Sequence, residues 1–282
     1  MKYYLKNGYA AYDNIEAKYR FISNTNYSNN LSTYHKTNNF EESTAYYFKT
    51  FAKFREESFI RAIDKLKEIK KGKELKVLDV GSLYGLFLAA AKKEGWQVFG
   101  LEPSTKEAVY AREKYNLTIF ETTIEGFESD MKYDTITFWD VFEHLPHPQE
   151  VLKKVESLMC PKGILIIRIP NANGLLHKLS FLLYRVSFGK ISFPVEKLFE
   201  NHSFVYTERG IKREILKHHF KVITKYKEPM IDLNIDVIIN KSYMKKIPAT
   251  IKYLLAFALK SILWLSKKMH KGDSLVIFCE LS

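Results

Sequence analysis

Residues Val77 to Ala91 read VLDVGSLYGLFLAAA. A short apolar strand closes on a carboxylate, Asp79, and Val80. Gly81 and Gly85 bracket a turn, and a helix rich in Leu, Phe and Ala starts at once. Backbone N–H groups at the start of such a helix lie open, and glycine lets a ligand come close to the backbone. A strand, glycine turn and helix in this order mark the first crossover of an open α/β sheet, where ligands sit beyond the carboxyl ends of the strands.

Outward from this segment, the next strand, Gln97 to Leu101, is followed by Glu102, 21 residues past Gly81. An acid at that place can accept two hydrogen bonds from a ribose diol. The turn itself is Gly81-Ser82-Leu83-Tyr84-Gly85, so neither the G-x-G-x-x-G run of a dinucleotide site nor a G-x-x-x-x-G-K-[ST] run is present. The reading is a nucleoside-containing cofactor without a pyrophosphate cradle.

The alternation continues. Strands are expected at Lys76–Val80, Leu117–Phe120, Tyr133–Trp139, Gly163–Ile169, Phe220–Tyr226 and Ser274–Leu281, with helices at Leu86–Gly95, Thr105–Tyr115, Pro148–Met159 and Thr207–His218. Strands separated by helices predict a Rossmann-like α/β fold. Its sheet has seven mostly parallel strands, with helices on both faces. Before it, residues 1 to about 45 are rich in Tyr, Asn, Ser and Thr without a period and read as a loop-like or draped leader. From Glu41 to Lys71 apolar residues recur at helical steps. The expected organisation is a leader and helix over residues 1–72, capping the cofactor side, and a main domain of residues 73–229 plus 272–282. Two insertions, 174–200 and 230–271, would form a substrate cap or a membrane-facing element.

The net charge of +12 is unevenly spread. Ser157 to Val195 holds no acidic residue but includes Lys162, Arg168, Lys178, Arg185 and Lys190. Lys241 to Lys271 holds none against eight lysines. Both stretches are also apolar. The segment from Pro248 to Met269 reads as a helix with Lys252, Lys260, Lys267 and Lys268 on one side. Packing over the pocket and lying in a membrane interface are the two competing readings. Two cysteines, Cys160 and Cys279, are too few for a disulfide framework and are expected to be buried thiols. The opening residues show no apolar block, and a cytoplasmic chain, peripheral to a membrane on the second reading, is expected.

Four segments, VLDVGSLYG, GLEPS, YDTITFWDVFEHLPHPQEVL and CPKGILIIRIPN, resemble in order the motifs of class I S-adenosylmethionine-dependent methyltransferases. They look closest to the branch of the ubiquinone-biosynthesis O-methyltransferases. The resemblance covers roughly residues 75 to 225 and implies S-adenosylmethionine as cofactor. It implies that Asp79, Gly81, Ser82 and Gly85 surround its methionine part, and that Glu102, followed by Pro103, holds the ribose. It places Thr123 and Ile124 at the adenine edge, and Trp139 and Asp140 on the pocket floor. Arg55 matches the place from which the family's N-terminal arginine reaches the methionine carboxylate. Leu83 departs from the pattern, since the family has a further glycine there.

Methyl transfer to a hydroxyl needs alignment and a base. His144, beside Glu143 at the end of the fourth main strand, is the first candidate. The competing reading is that both cap the following loop. His202, in FENHSFVYT, is a further candidate. No metal is expected, because Pro146 disturbs the spacing of Glu143, His144 and His147. The expected function is O-methylation of a small, lipid-linked or glycan-linked acceptor. Nucleic acid is disfavoured, because Asp140-Val141-Phe142-Glu143 is unlike the tetrapeptide of base amino-group methylation. An RNA- or protein-directed enzyme and an inactive relative remain as alternatives, and oligomeric state is left open.

Overall fold

The computed structural model describes residues 39–188, 204–229 and 272–282, the backbone of three N-terminal strands, and helical positions 250, 253, 257, 260, 261 and 264. Those strands are β1 (Lys2–Tyr4), β2 (Tyr9–Asn14) and β3 (Tyr19–Asn24). With β9 (Phe204–Val205) they form a small antiparallel sheet, in which Arg20 and Phe21 of β3 pair with Val205 and Phe204. This corrects the loop-like reading of the leader. Its tyrosine-rich strands satisfy their backbones by pairing with each other and with a strand some 180 residues away, a partner no local period reveals.

The following helix is not continuous. α1 (Phe40–Tyr47) is capped by Asn39, whose side chain accepts from the N–H groups of Glu41 and Glu42. A π-helical turn, Phe48–Ala52, leads into α2 (Lys53–Lys70), which ends at Lys71 in the left-handed region.

The main sheet has β4 (Lys76–Val80), β5 (Gln97–Leu101), β6 (Thr118–Phe120), β7 (Tyr133–Trp139), β8 (Met159–Pro170), β10 (Phe220–Glu228) and β11 (Ser274–Leu281). Their spatial order is β10-β11-β8-β7-β4-β5-β6. β4 to β8 run parallel, and β11 lies antiparallel between β8 and β10. The seven expected strands are all present. β8 begins four residues earlier than expected, at Met159, because Met159 pairs with Tyr133 before a register shift.

Helices cover both faces. α2, α3 (Leu86–Lys93) and α4 (Thr105–Tyr115) pack on one, meeting Val77, Val98, Ile119, Ile164, Ile166, Val276 and Phe278. α5 (Pro148–Leu158) and α7 (Glu208–Leu216) pack on the other, meeting Leu78, Ile136, Phe138, Leu165, Ile167 and Ile277. Alternation along each strand sorts the side chains between the two cores. The same alternation turns Asp79, Thr137, Trp139 and Arg168 toward the α2–α3 side, where they build the site. A further helix, α6 (Leu175–Val186), leaves the end of β8. Cys279 is buried as expected, whereas Cys160 is only partly covered.

Candidate functional site

The site is built where β4 turns into α3. The N–H groups of Gly81 and Ser82 both donate to Leu101 O, at 2.8 and 3.0 Å, so the turn is pinned across the end of β5. Gly81 and Gly85 have φ of +70° and +75°. A Cβ on Gly81 would stand 2.6 Å from Cγ2 of Val141, and one on Gly85 would stand 2.6 Å from Cδ1 of Leu117. Gly81 is therefore favoured by space as well as by conformation, and Gly85 chiefly by its left-handed φ. Leu83, where the resembling family has glycine, also adopts a left-handed φ of +48°. That conformation costs a leucine about 1–2 kcal/mol. The backbone path needed by the turn is kept, with the strain carried by Leu83.

Two acids converge on the turn. Asp79 is buried and accepts from Thr137 Oγ1 at 2.6 Å. Burial, reinforced by the charge of Glu102 and opposed by the Thr137 hydrogen bond, pushes its carboxyl up to about 8. Glu102 sits at the end of β5 with Oε2 accepting from the Leu83 N–H at 2.8 Å and Oε1 from the Ser104 N–H at 2.9 Å. A carboxylate oxygen accepts more than one hydrogen bond, the capacity that a ribose diol calls on. Pro103 lies exposed beside Glu102.

The remaining expected cofactor residues divide by depth. In the loop after β6, Thr123 is exposed, while the side chain of Ile124 is in the core with Phe127. Only the backbone of Ile124 can therefore face a ligand. Trp139 is buried edge-on against Phe59 and tilted on Phe87, with centroids 4.8 and 5.1 Å apart. Its indole Nε1 and the Ser82 hydroxyl are buried polar atoms without a protein partner. Such groups call for a polar ligand or water; Ser82 lies in the turn itself and Trp139 at the end of the neighbouring β7. Among the described residues, the glycine turn, the paired acids and these two orphan groups fit an adenosyl cofactor carrying an amino-acid tail.

Asp140, just past β7, has φ of +55° and forms ion pairs with Arg55 of α2 and Arg168 of β8. Burial acts to raise its pKa, but Arg168 and then Arg55 hold it below the usual carboxylate range. Arg168 is only 1% exposed. Its Nε donates to Glu228 at 3.1 Å and its Nη2 to the Ser274 hydroxyl at 3.1 Å, and the guanidinium lies over Phe54. Glu228 in turn accepts from Ser58 at 2.6 Å and from Arg61 at 3.1 Å. The sequence reading placed Asp140 at the site but counted Arg168 merely as part of a basic stretch. The signal that could have found it is the charge inside GILIIRIP at a position where alternation demands a buried side chain.

Glu143 and His144 form a single 3-10 turn, Phe142–His144, with the His144 N–H donating to Val141 O at 2.9 Å. They are not equivalent. Glu143 is completely buried, and burial together with the charge of Asp140 pushes its pKa well above the carboxylate range. Its complete burial leaves it less open to an incoming acceptor than its neighbour. His144 is half-buried. His202 lies outside the described residues.

The N-terminal segment reaches the same turn. Tyr84 packs on Tyr47, Phe48 and Tyr110 with centroids 4.8, 5.5 and 5.3 Å apart, and Thr44 Oγ1 donates to its hydroxyl at 3.2 Å. The π-helical turn thus sits against the glycine loop, a placement common for such turns at functional sites.

The family described as methyltransferase domain matches residues 51–225. The ubiquinone biosynthesis O-methyltransferase of Actinobacillus pleuropneumoniae serotype 7 (strain AP76) is 35% identical over 107 residues, 34% of this chain and 46% of that protein. The same-named protein of Vibrio vulnificus (strain YJ016) is 34% identical over 105 residues, 35% of this chain and 45% of that protein. The chain thus spans about half the length of the curated relatives it matches. Among solved structures, magnesium protoporphyrin IX methyltransferase from Synechocystis PCC 6803 with bound SAH superposes with a TM-score of 0.57. It covers 89% of this chain and 98% of its own, at 14% identity, a likeness that speaks for the fold alone.

Proposed function

The chain belongs to the methyltransferase-domain family, and on that premise we propose that it is an S-adenosylmethionine-dependent enzyme that methylates a hydroxyl on a small, lipid-linked or glycan-linked acceptor. The observation that carries the reading is the Gly81–Gly85 turn with the Glu102 carboxylate reaching back to its Leu83 N–H. The hydroxyl acceptor is favoured by the names of the relatives, which are O-methyltransferases of ubiquinone biosynthesis.

When bound, the cofactor supplies an electrophilic methyl on a sulfonium. The rest falls to this chain. Glu102 holds the ribose hydroxyls, and the backbone of Thr123 and Ile124 lines the adenine edge. Asp79, Ser82, Trp139 and Asp140 surround the amino-acid tail, with Arg55 drawn in through Asp140. The segment 39–52 caps this side through Tyr84. An imidazole nitrogen of His144 takes the acceptor's hydroxyl proton as the oxygen attacks. Glu143, buried in the same 3-10 turn, positions that turn. Alignment alone can contribute about 7–11 kcal/mol, and a placed base about 10²–10⁴-fold. Peripheral contact with a membrane belongs to this reading through the acid-free stretches Ser157–Val195 and Lys241–Lys271.

The test is methyl transfer from radiolabelled S-adenosylmethionine to a panel of phenolic, lipid-linked and glycan hydroxyls. Label in an acceptor, lost in His144→Ala, supports the reading. An inactive relative, the alternative raised by the strained Leu83, predicts no label in any acceptor.

A further inference from the structure

The two insertions, 174–200 and 230–271, leave the sheet side by side. β8 ends at Pro170, β11 begins opposite it at Ser274, and Glu228 at the end of β10 faces Ser274 from the other side. The Asn171 N–H donates to Asp273 O at 2.7 Å, and its side-chain amide to Gly272 O at 2.9 Å. The Leu176 N–H, at the start of α6, donates to Asp273 Oδ1 at 2.9 Å. Both insertions therefore depart from one corner of the sheet, at the carboxyl edge where β4 gives way to the glycine turn.

Each exposes apolar and basic side chains together. On α6, Leu176, His177 and Phe181 face inward, while Leu182, Leu183 and Val186 are exposed beside Lys178 and Arg185. Phe188 follows at 94% exposure. In the second insertion, the helical positions Tyr253, Phe257 and Trp264 are 77%, 73% and 62% exposed, with Lys260 and Ser261 exposed among them. At 3.6 residues per turn these five fall within an arc of about 100°. Soluble helices normally turn such an arc to the core, and a contiguous exposed apolar patch marks an interaction surface. The three rings thus share a side of the helix with Lys260.

We propose that this aromatic and basic face docks on the surface of an anionic lipid bilayer. Tyr and Trp rings are half apolar and settle at headgroup depth, and a lysine stem can lie along apolar surface while its ammonium reaches phosphate. The complementarity of charge is one-sided: eight lysines and no acid between Lys241 and Lys271. An acidic or mixed protein partner needs no run of exposed aromatics free of any carboxylate, whereas a negatively charged membrane is repelled by every carboxylate near it. Lys252, Lys260, Lys267 and Lys268 interrupt the stretch from Pro248 to Met269, which favours an interfacial contact over a span. The inference rests on the proposed function in one respect: it puts the acceptor edge of the sheet toward the bilayer, where a lipid-linked hydroxyl is presented.

The test uses the full chain and large vesicles of phosphatidylcholine, alone or mixed with phosphatidylglycerol. Co-sedimentation is expected with the anionic vesicles only. Trp96 and Trp139 are buried, so a blue shift of tryptophan emission on binding reports Trp264. Lys260→Glu lowers vesicle affinity by about tenfold or more, near the value for reversing one charge at a headgroup surface. Phe257→Asp lowers it further, and salt weakens the parent's binding. Equal binding to neutral vesicles, variants that bind like the parent, or a concentration-dependent dimer abolished by Phe257→Asp each overturn the proposal. S-adenosylhomocysteine calorimetry on every variant separates the two readings. Ligand binding without vesicle binding sinks the docking face alone, whereas loss of ligand binding in the parent sinks the enzyme reading.

Discussion

Arg168→Met removes the guanidinium at the centre of the buried charge cluster and keeps most of the side-chain volume. The consequence follows from what Arg168 holds. Asp140 and Glu228 are both charged partners, Glu228 is essentially inaccessible, and Ser274 accepts the third donor. Removing one member of a buried ionic group costs about 3–5 kcal/mol, because the charges left behind lose their compensation. Arg55 still reaches Asp140 and Arg61 still reaches Glu228, so the lower end, about 3 kcal/mol, is expected. At about 2–4 °C per kcal/mol for a domain of this size, the melting temperature should fall by roughly 6–12 °C. The assay is thermal unfolding followed by circular dichroism, with Arg168→Met/Glu228→Gln beside the single variant. The double variant should recover part of the loss, since it withdraws one stranded charge. A fall under about 2 °C, or a double variant simply additive with Glu228→Gln, refutes the claim that these groups form one network.

Three further outcomes are expected. The folded-state pKa of Asp79 near 8 lies above the ordinary value of 3.8, so ionising the unfolded chain destabilises the fold. Its contribution is fully favourable below about pH 4 and is lost as pH rises to about 8. Asp79→Asn should remove that slope, and parallel stability profiles from pH 4 to 8 for the two proteins contradict the assignment. His144→Ala should lower kcat by about 10²–10⁴-fold and leave S-adenosylhomocysteine affinity unchanged, whereas an equal loss of affinity points to a structural role. Gly81→Ala places a methyl 2.6 Å from Val141 Cγ2 at positive φ. It should destabilise by about 1–3 kcal/mol, partly relieved in Gly81→Ala/Val141→Ala, as read by thermal unfolding.

The parts of the molecule written as local period were legible. β4, β5 and β7 stand where alternation and the flanking glycines put them, because parallel central strands are apolar runs that end abruptly. The Gly81–Gly85 turn and Glu102 were legible because their spacing is set by one crossover. What escaped depends on distant pairing. The leader's strands are completed by Phe204 and Val205, and Arg168 makes sense only once Arg55 and Ser58 of α2 and Glu228 of β10 are brought to it. The different natures of Glu143 and His144 were also hidden. They are neighbours in sequence, but one turn of 3-10 helix buries the acid and leaves the imidazole half open.

The central claim is that the glycine turn and Glu102 together hold an adenosyl cofactor. Isothermal calorimetry of S-adenosylhomocysteine with the parent chain and with Glu102→Ala tests it. The account predicts measurable binding by the parent and a loss of about 10²-fold or more in the variant, the equivalent of two hydrogen bonds to a charged group at about 1.5–3 kcal/mol each. No heat from the parent at millimolar ligand, or a variant that binds as tightly as the parent, contradicts it.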